Sequence, residues 1–264
     1  MERIDNTLNE DSVLFIDLDL VAIKAEIAYV FDRCSRRGLS QTSKWLAEIN
    51  HALKATSLPQ DKVPSPELPP GPDLDTYNLA KTYFDLKEYD RAAFFTRNHS
   101  SPLCQFIHIY SRYMSAEKKR LDDLVDTVVS PDSAQLSHLK QLRVELEKLY
   151  ASNSLDAYCL YVYGIVLRKL SLPELAVPVL CSSIRSEPGH WGAWLELSGL
   201  VTSREKLSQL DLPDHWCKHI FLAHTYLELQ QNEQAVEIYF GLSKAGLADS
   251  TYIMAQVNMA VIIL

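Results

Sequence analysis

Leu160-Tyr-Val-Tyr-Gly-Ile-Val-Leu-Arg-Lys-Leu170, followed by Pro188-Gly-His-Trp-Gly-Ala-Trp-Leu-Glu-Leu197, decides the fold. Gly164 has Leu167 three residues on, Ala176 twelve on, and Leu180 four beyond that. Pro188 closes the unit. Trp194 and Ser198 then stand 34 residues after Leu160 and Gly164, at the same phase. A period of this length is one unit of two antiparallel helices. Gly164 and Ala176 fall where the two helices cross, because a larger side chain there would push the axes apart.

The phase recurs. Ala80, Gly164, Ser198 and Ala223 each follow an apolar residue (Leu79, Tyr163, Leu197, Leu222) and precede another by three (Tyr83, Leu167, Val201, Tyr226). Alanine stands twelve residues later in three of the four units, at Ala92, Ala176 and Ala235. The Ser198 unit has Leu210 there and reaches Ala223 early, which predicts a short or irregular second helix. The pattern is that of an all-α tetratricopeptide-repeat (TPR) solenoid, a superhelix of antiparallel helix pairs.

Working outward, residues 1–12 are polar. Val13 to about Arg37 is apolar-periodic and stops at Gly38, a helix C-cap; a second helix is predicted from Gln41 to about Ala55. Residues 1–57 thus form a divergent N-terminal helical hairpin. Residues 58–73 hold six of the twelve prolines and few apolar side chains, the composition of a disordered insert. Residues 74–264 are the solenoid, its first clear repeat capped by Asp75 or Thr76. Ser101-Pro102 starts a spacer helix to 120, a short helix follows over 121–129, and Ser133 to Tyr150 is another. Pro178 inside a second helix should kink it. Ser250 to Leu264 reads as a first helix without its partner, so the solenoid is expected to be truncated at its C-terminal end, the chain being the N-terminal part of a longer repeat protein.

Composition narrows the function. A net charge of −8 argues against nucleic acid as a partner, since phosphate neutralisation needs a basic face. The compact basic run Lys118-Lys119-Arg120 lacks interleaved aromatics and reads as a solvated helix end. Five cysteines without a CxxC pair read as reduced, buried thiols. Met1-Glu-Arg-Ile-Asp5 lacks the apolar core of a signal peptide, and no run approaches the ~20 apolar residues of a membrane span. The expectation is no membrane partner. No phosphate loop, nucleophile elbow, dinucleotide fingerprint or HExxH motif occurs. His215 and His219 lie one turn apart, but neither Cys217 nor His224 converges on them, so they read as packing histidines. Gly241-Leu-Ser-Lys-Ala-Gly246 follows a helix and reads as a helix-to-helix turn. No catalytic, cofactor-binding or metal-binding residue and no small-molecule substrate is expected.

The remaining signal is apolar. Groove-facing positions of the first helices give Tyr158, Tyr161, Ile165, Leu195 and Ile220, a surface suited to an amphipathic helix or extended apolar segment. The hairpin carries Leu14, Phe15, Leu18, Val21, Ile27, Phe31, Trp45 and Leu46, more apolar surface than two helices bury against each other. These thirteen residues are the candidate dimer or partner interface. Hairpin and groove can cover one another across a two-fold axis. The alternative is a monomeric TPR adaptor that takes a short peptide or helix of another protein.

Leu142-Arg-Val-Glu-Leu146, Leu160 to Leu170, Pro188 to Leu197, Leu212-Pro-Asp-His-Trp216 and Phe221-Leu-Ala-His-Thr-Tyr-Leu-Glu-Leu-Gln230, with Ser43-Lys-Trp45, together resemble the Cdc23-like subunit (subunit 8) family of the anaphase-promoting complex. The resemblance covers most of residues 14–264, best from 140 onward, and the string from His190 to Leu197 is its most specific part. It implies a non-enzymatic scaffold subunit of a cullin–RING-type ubiquitin ligase that drives mitotic exit, found in the nucleus (and cytoplasm). It also implies a homodimer through the N-terminal repeats, other subunits of the complex as partners, and co-activator binding by later repeats.

Overall fold

The computed structural model describes residues 14–53, 65–125 and 132–263, and among these every regular element is a helix. In order they are α1 (Leu20–Arg36), α2 (Ser40–Ala52), α3 (Gly71–Asp85), α4 (Tyr89–Thr96), α5 (Pro102–Val125), α6 (Asp132–Ala151), α7 (Ala157–Lys169), α8 (Pro173–Ser186), α9 (Trp191–Ser198), α10 (Arg204–Ser208), α11 (Trp216–Glu228), α12 (Asn232–Leu242) and α13 (Thr251–Ile263). Consecutive helices pair as α3/α4, α7/α8 and α11/α12, and α5/α6 is the long spacer between the first two pairs. The chain is the TPR solenoid that its period predicts.

The repeat positions are where the helices meet. Ala80, Ala92, Ala176, Ala223 and Ala235 have no exposed surface, and Ser198 is buried. A Cβ on Gly164 would lie 2.5 Å from Leu180 Cδ2, so α7 and α8 approach through that glycine. Pro188 fixes the entry to α9, its carbonyl accepting a 2.7 Å hydrogen bond from Trp194 Nε1. Trp194 is fully buried against Phe221 of the next repeat, with ring centroids 5.3 Å apart. Thr225 Oγ1 and Ser198 Oγ bond at 3.1 Å across the same contact.

One turn geometry recurs between first and second helices. Gly38, Lys87, Ser171 and Gln230 each have φ between 58° and 71°, and Asn153 has φ 53° after α6. In every case the next residue's N–H reaches back five residues to a helix carbonyl: Leu39 to Cys34, Glu88 to Tyr83, Ser154 to Leu149, Leu172 to Leu167, Gln231 to Tyr226. This closes the helix end by satisfying a carbonyl that the last turn leaves unpaired. Only at position 38 is the residue glycine, and there a Cβ would also strike Phe84 Cε1 at 2.4 Å.

Several boundaries differ from the sequence expectation. The first helix starts at Leu20 rather than Val13, because Asp19 caps it by accepting from the N–H groups of Val21 and Ala22 at 3.1 and 3.0 Å. Of the proline-rich insert, 58–64 lie outside the described residues, as do 1–13. At the end of the insert, 65–70 carry no regular secondary structure, and α3 begins at Gly71, ahead of the expected cap at Asp75 or Thr76. Pro70 at the cap and Pro72 in the first turn explain this, since a helix start does not need the missing N–H. The two spacer helices expected over 102–129 are one through Val125, and α8 runs on through Pro178. The short second helix of the Ser198 unit is α10, five residues long. A π turn, Ser243–Leu247, joins α12 to α13 at the Gly241–Gly246 segment.

The hairpin touches α3, through Phe84 against Gly38 and the Tyr77 hydroxyl donating to the Arg36 carbonyl, and it also packs against the starts of α7, α9, α11 and α13. Val30 lies against Gly189, Thr42 against Gly192, and Leu20 against Gly246. Leu14 and Ile16 press on Gly241.

Two expectations test this packing. Gly164→Leu should cost about 1–3 kcal/mol by overpacking the Leu180 contact, read as a lower thermal midpoint. Ser171→Gly and Gln230→Gly should each stabilise the chain by about 0.5–1 kcal/mol, because glycine relieves the left-handed strain and gives back part of that gain as unfolded-state entropy. Denaturant midpoints measure both.

Candidate partner interface

The centre of the hairpin–groove contact is Trp45 on α2. Its ring stacks on Trp191 at 4.6 Å and 10° and on Trp216 at 5.7 Å and 6°, so one indole is sandwiched between two first-helix starts. Tyr252 of α13 meets both Trp45 and Trp191 edge-on, at 6.0 and 6.1 Å. Both groove tryptophans follow a histidine that occupies the helix cap, His190 before α9 and His215 before α11.

On one side of this stack stands Glu26 of α1. Its carboxylate accepts from Trp216 Nε1 and His215 Nε2, each at 2.8 Å. His215 Nδ1 accepts the N–H of Cys217 at 3.2 Å, which leaves the ring proton on Nε2 and sets the tautomer. The histidine expected to be a packing residue is thus a polar link between hairpin and solenoid.

At the C-terminal end of α1 is Arg37, 1% exposed. Its guanidinium holds Glu67 at 2.6 and 3.0 Å and Asp156 at 3.2 Å, and its Cζ lies 4.1 Å over the Tyr158 ring. Burial alone would lower its pKa, but the two carboxylates outweigh this and raise it, so the charge persists. Asp156 also caps α7 through the Cys159 N–H at 2.7 Å. Tyr158 OH donates to Glu187 at 3.5 Å, and burial raises the pKa of Glu187 against the pull of Arg33.

The structure divides the thirteen interface residues. Ile27, Trp45, Leu46, Tyr158, Ile165 and Ile220 are buried, and Tyr161 is half-buried with its ring 4.6 Å from His190. These line the hairpin–groove contact or the core within one chain. Leu14, Phe15, Val21, Phe31 and Leu195 are exposed, and Leu18 is intermediate. Sequence reasoning missed Glu26, Arg37, Glu67, Asp156 and His190. One signal was present: the dipeptide His-Trp occurs twice, at 190–191 and 215–216, each time where a first helix begins.

His190 is fully buried between Tyr158 and Tyr161, and neither ring nitrogen has a hydrogen-bond partner among the described residues. Burial, with the nearby Arg37 charge, lowers its pKa from 6.5 to about 3. The unfolded chain therefore binds a proton that the folded chain refuses. Stability from this residue is complete above pH 6.5 and falls as pH drops towards 3. Between pH 7 and 5 the native chain should lose about 2 kcal/mol more than His190→Leu, measured by denaturant midpoints at the two pH values.

Comparison with known proteins agrees with this architecture. The family model described as "Anaphase promoting complex subunit 8 / Cdc23" matches residues 22–257. The chain is 43% identical over 245 residues to "Cell division cycle protein 23 homolog" of Homo sapiens, a match covering 92% of this chain and 41% of that protein. It is 34% identical over 214 residues to "Anaphase-promoting complex subunit 8" of Arabidopsis thaliana, covering 80% of this chain and 37% of that one. A protein of the same name from Dictyostelium discoideum is 30% identical over 295 residues, covering 89% and 50% respectively. The chain thus spans half or less of the length of these relatives. It belongs to the anaphase-promoting complex subunit 8/Cdc23 family.

Proposed function

We propose that this chain is a non-catalytic scaffold module of the anaphase-promoting complex ubiquitin ligase, working in the nucleus and cytoplasm, and that it homodimerises while supporting assembly with other subunits. Family membership supports the assignment to the complex. The observation that carries the scaffold reading is the occupied groove. A TPR adaptor takes its peptide on the first-helix face, and here Trp45, Thr42 and Glu26 of the chain's own hairpin sit on that face. A monomeric peptide adaptor would have to expel a buried aromatic stack and a buried arginine before binding.

The dimer reading rests on what the hairpin leaves outside. Phe15 is 89% exposed, and Leu14, Val21, Tyr29 and Phe31 are exposed with it on the segment from 14 to 31. Five large apolar side chains exposed over so short a stretch are a surplus that a second copy would take out of water isologously, each chain giving and receiving the same surface. In this chain the hairpin lies against its own groove, and the pairing proposed here runs across the hairpin's outer face.

Sedimentation at micromolar concentration tests the reading. The expected result is twice the 30.0 kDa chain mass. Val21→Glu combined with Phe31→Glu should give monomers with unchanged helical circular dichroism, since both positions are exposed. A monomer for the unsubstituted chain would refute homodimerisation.

A further inference from the structure

Residues 65–70, which carry no regular secondary structure, are a strap tied to the C-terminal end of α1. The tie is Glu67: its carboxylate is held by Arg37 at 2.6 and 3.0 Å, with Arg33 at 3.5 Å, and its backbone N–H donates to Asp32 Oδ2 at 3.0 Å. Asp32 is itself held by Arg36 at 2.9 Å. Arg36 and Arg37 therefore already have close carboxylate partners, and the strap depends on a local balance of charge. Two residues before Glu67 the chain exposes Ser65, and Pro66 follows it. A residue preceding proline is held to extended backbone. An exposed serine in extended backbone, followed by proline, has the form that a proline-directed protein kinase accepts.

We propose that Ser65 is a phosphorylation site for a proline-directed protein kinase, and that the phosphate unfastens the strap from α1. In the transfer, Ser65 Oγ bonds to the γ-phosphorus of ATP and the bond from that phosphorus to the β–γ bridging oxygen breaks. ADP leaves, and the hydroxyl proton passes to the kinase's catalytic base. The product carries close to two negative charges. Two residues of chain span at most about 7 Å, so this charge arrives beside the carboxylates of Glu67 and Asp32. It also arrives at the C-terminal end of a helix, where the dipole disfavours an anion. Arg36 and Arg37 can serve it only by giving up the carboxylates they hold. Once Glu67 is displaced, Arg37 keeps only Asp156 among the carboxylates bonded to it, and the strap loses its hold on the hairpin.

The test treats the purified chain with a proline-directed kinase and ATP, maps the phosphoryl group by mass spectrometry, and follows amide hydrogen exchange. Incorporation is expected at Ser65 and absent in Ser65→Ala. Exchange of the Glu67 amide, whose N–H is bonded to Asp32, should rise by about tenfold on phosphorylation. Glu67→Gln should raise it without the kinase, and phosphorylation should add little in that variant. Incorporation confined to other residues overturns the proposal. So does Ser65 phosphorylation with unchanged exchange, or with slower exchange, which would mean that Arg33 takes the phosphate as a second anchor.

Discussion

Trp45 has an indole on each face, Trp191 and Trp216, and Tyr252 closes the edge. Burying a side chain of this size removes roughly 150–250 Å² from water, worth about 4–6 kcal/mol, and each aromatic pair adds roughly 0.5–1.5 kcal/mol. The ion pair one residue earlier, Lys44–Glu48 at 3.7 Å with Lys44 72% exposed, belongs to a class worth about 0–1 kcal/mol. Both partners of that pair lie on α2, so it does not fix the hairpin against the solenoid, whereas the aromatic sandwich does. The sandwich in turn needs two first helices to start one repeat apart with a tryptophan at each start.

The solenoid was legible in the sequence because each repeat must leave room at the helix crossing. Gly164, Ala80, Ala92, Ala176, Ala223 and Ala235 mark those crossings in the chain as plainly as in the fold. Of the left-handed turns with the five-residue back-bond, only the one at Gly38 was legible. Lys87, Ser171 and Gln230 adopt the same left-handed conformation without the residue that advertises it, because the five-residue back-bond and the packing of the helix pair outweigh a strain of about 1–2 kcal/mol. The Leu20 start of α1 was hidden by apolar residues at 14–18, which lie extended along α12 and bury Ile16 without helical periodicity.

The hairpin's destination was not legible. Its surplus of apolar side chains announced that something covers it, and a second copy and the chain's own groove satisfy that demand equally well on composition. Covalent connection separates the two. A tethered segment meets its own groove at an effective concentration on the order of millimolar, far above a micromolar partner, so the intramolecular contact forms first. What remains outside, Phe15, Val21, Tyr29 and Phe31, is the surface available to others.

Aromatic stacking alone would let the hairpin slide along the groove, since apolar contact is non-directional. The polar contacts of Glu26 and Arg37 with the solenoid prevent this. Glu26 needs both His215 Nε2 and Trp216 Nε1, and a shift of one helical turn, 5.4 Å, would leave a carboxylate and two donors unpaired. Arg37 needs Glu67 and Asp156 together, and at 1% exposure it has no water to fall back on. Exchanging these groups for apolar ones could leave stability unchanged, because desolvation offsets much of what such pairs contribute. Their role is to exclude wrong registers, each of which carries at least one buried, unpaired charge. The hairpin is thus attracted to the groove by tryptophan and aligned in it by Glu26 and Arg37.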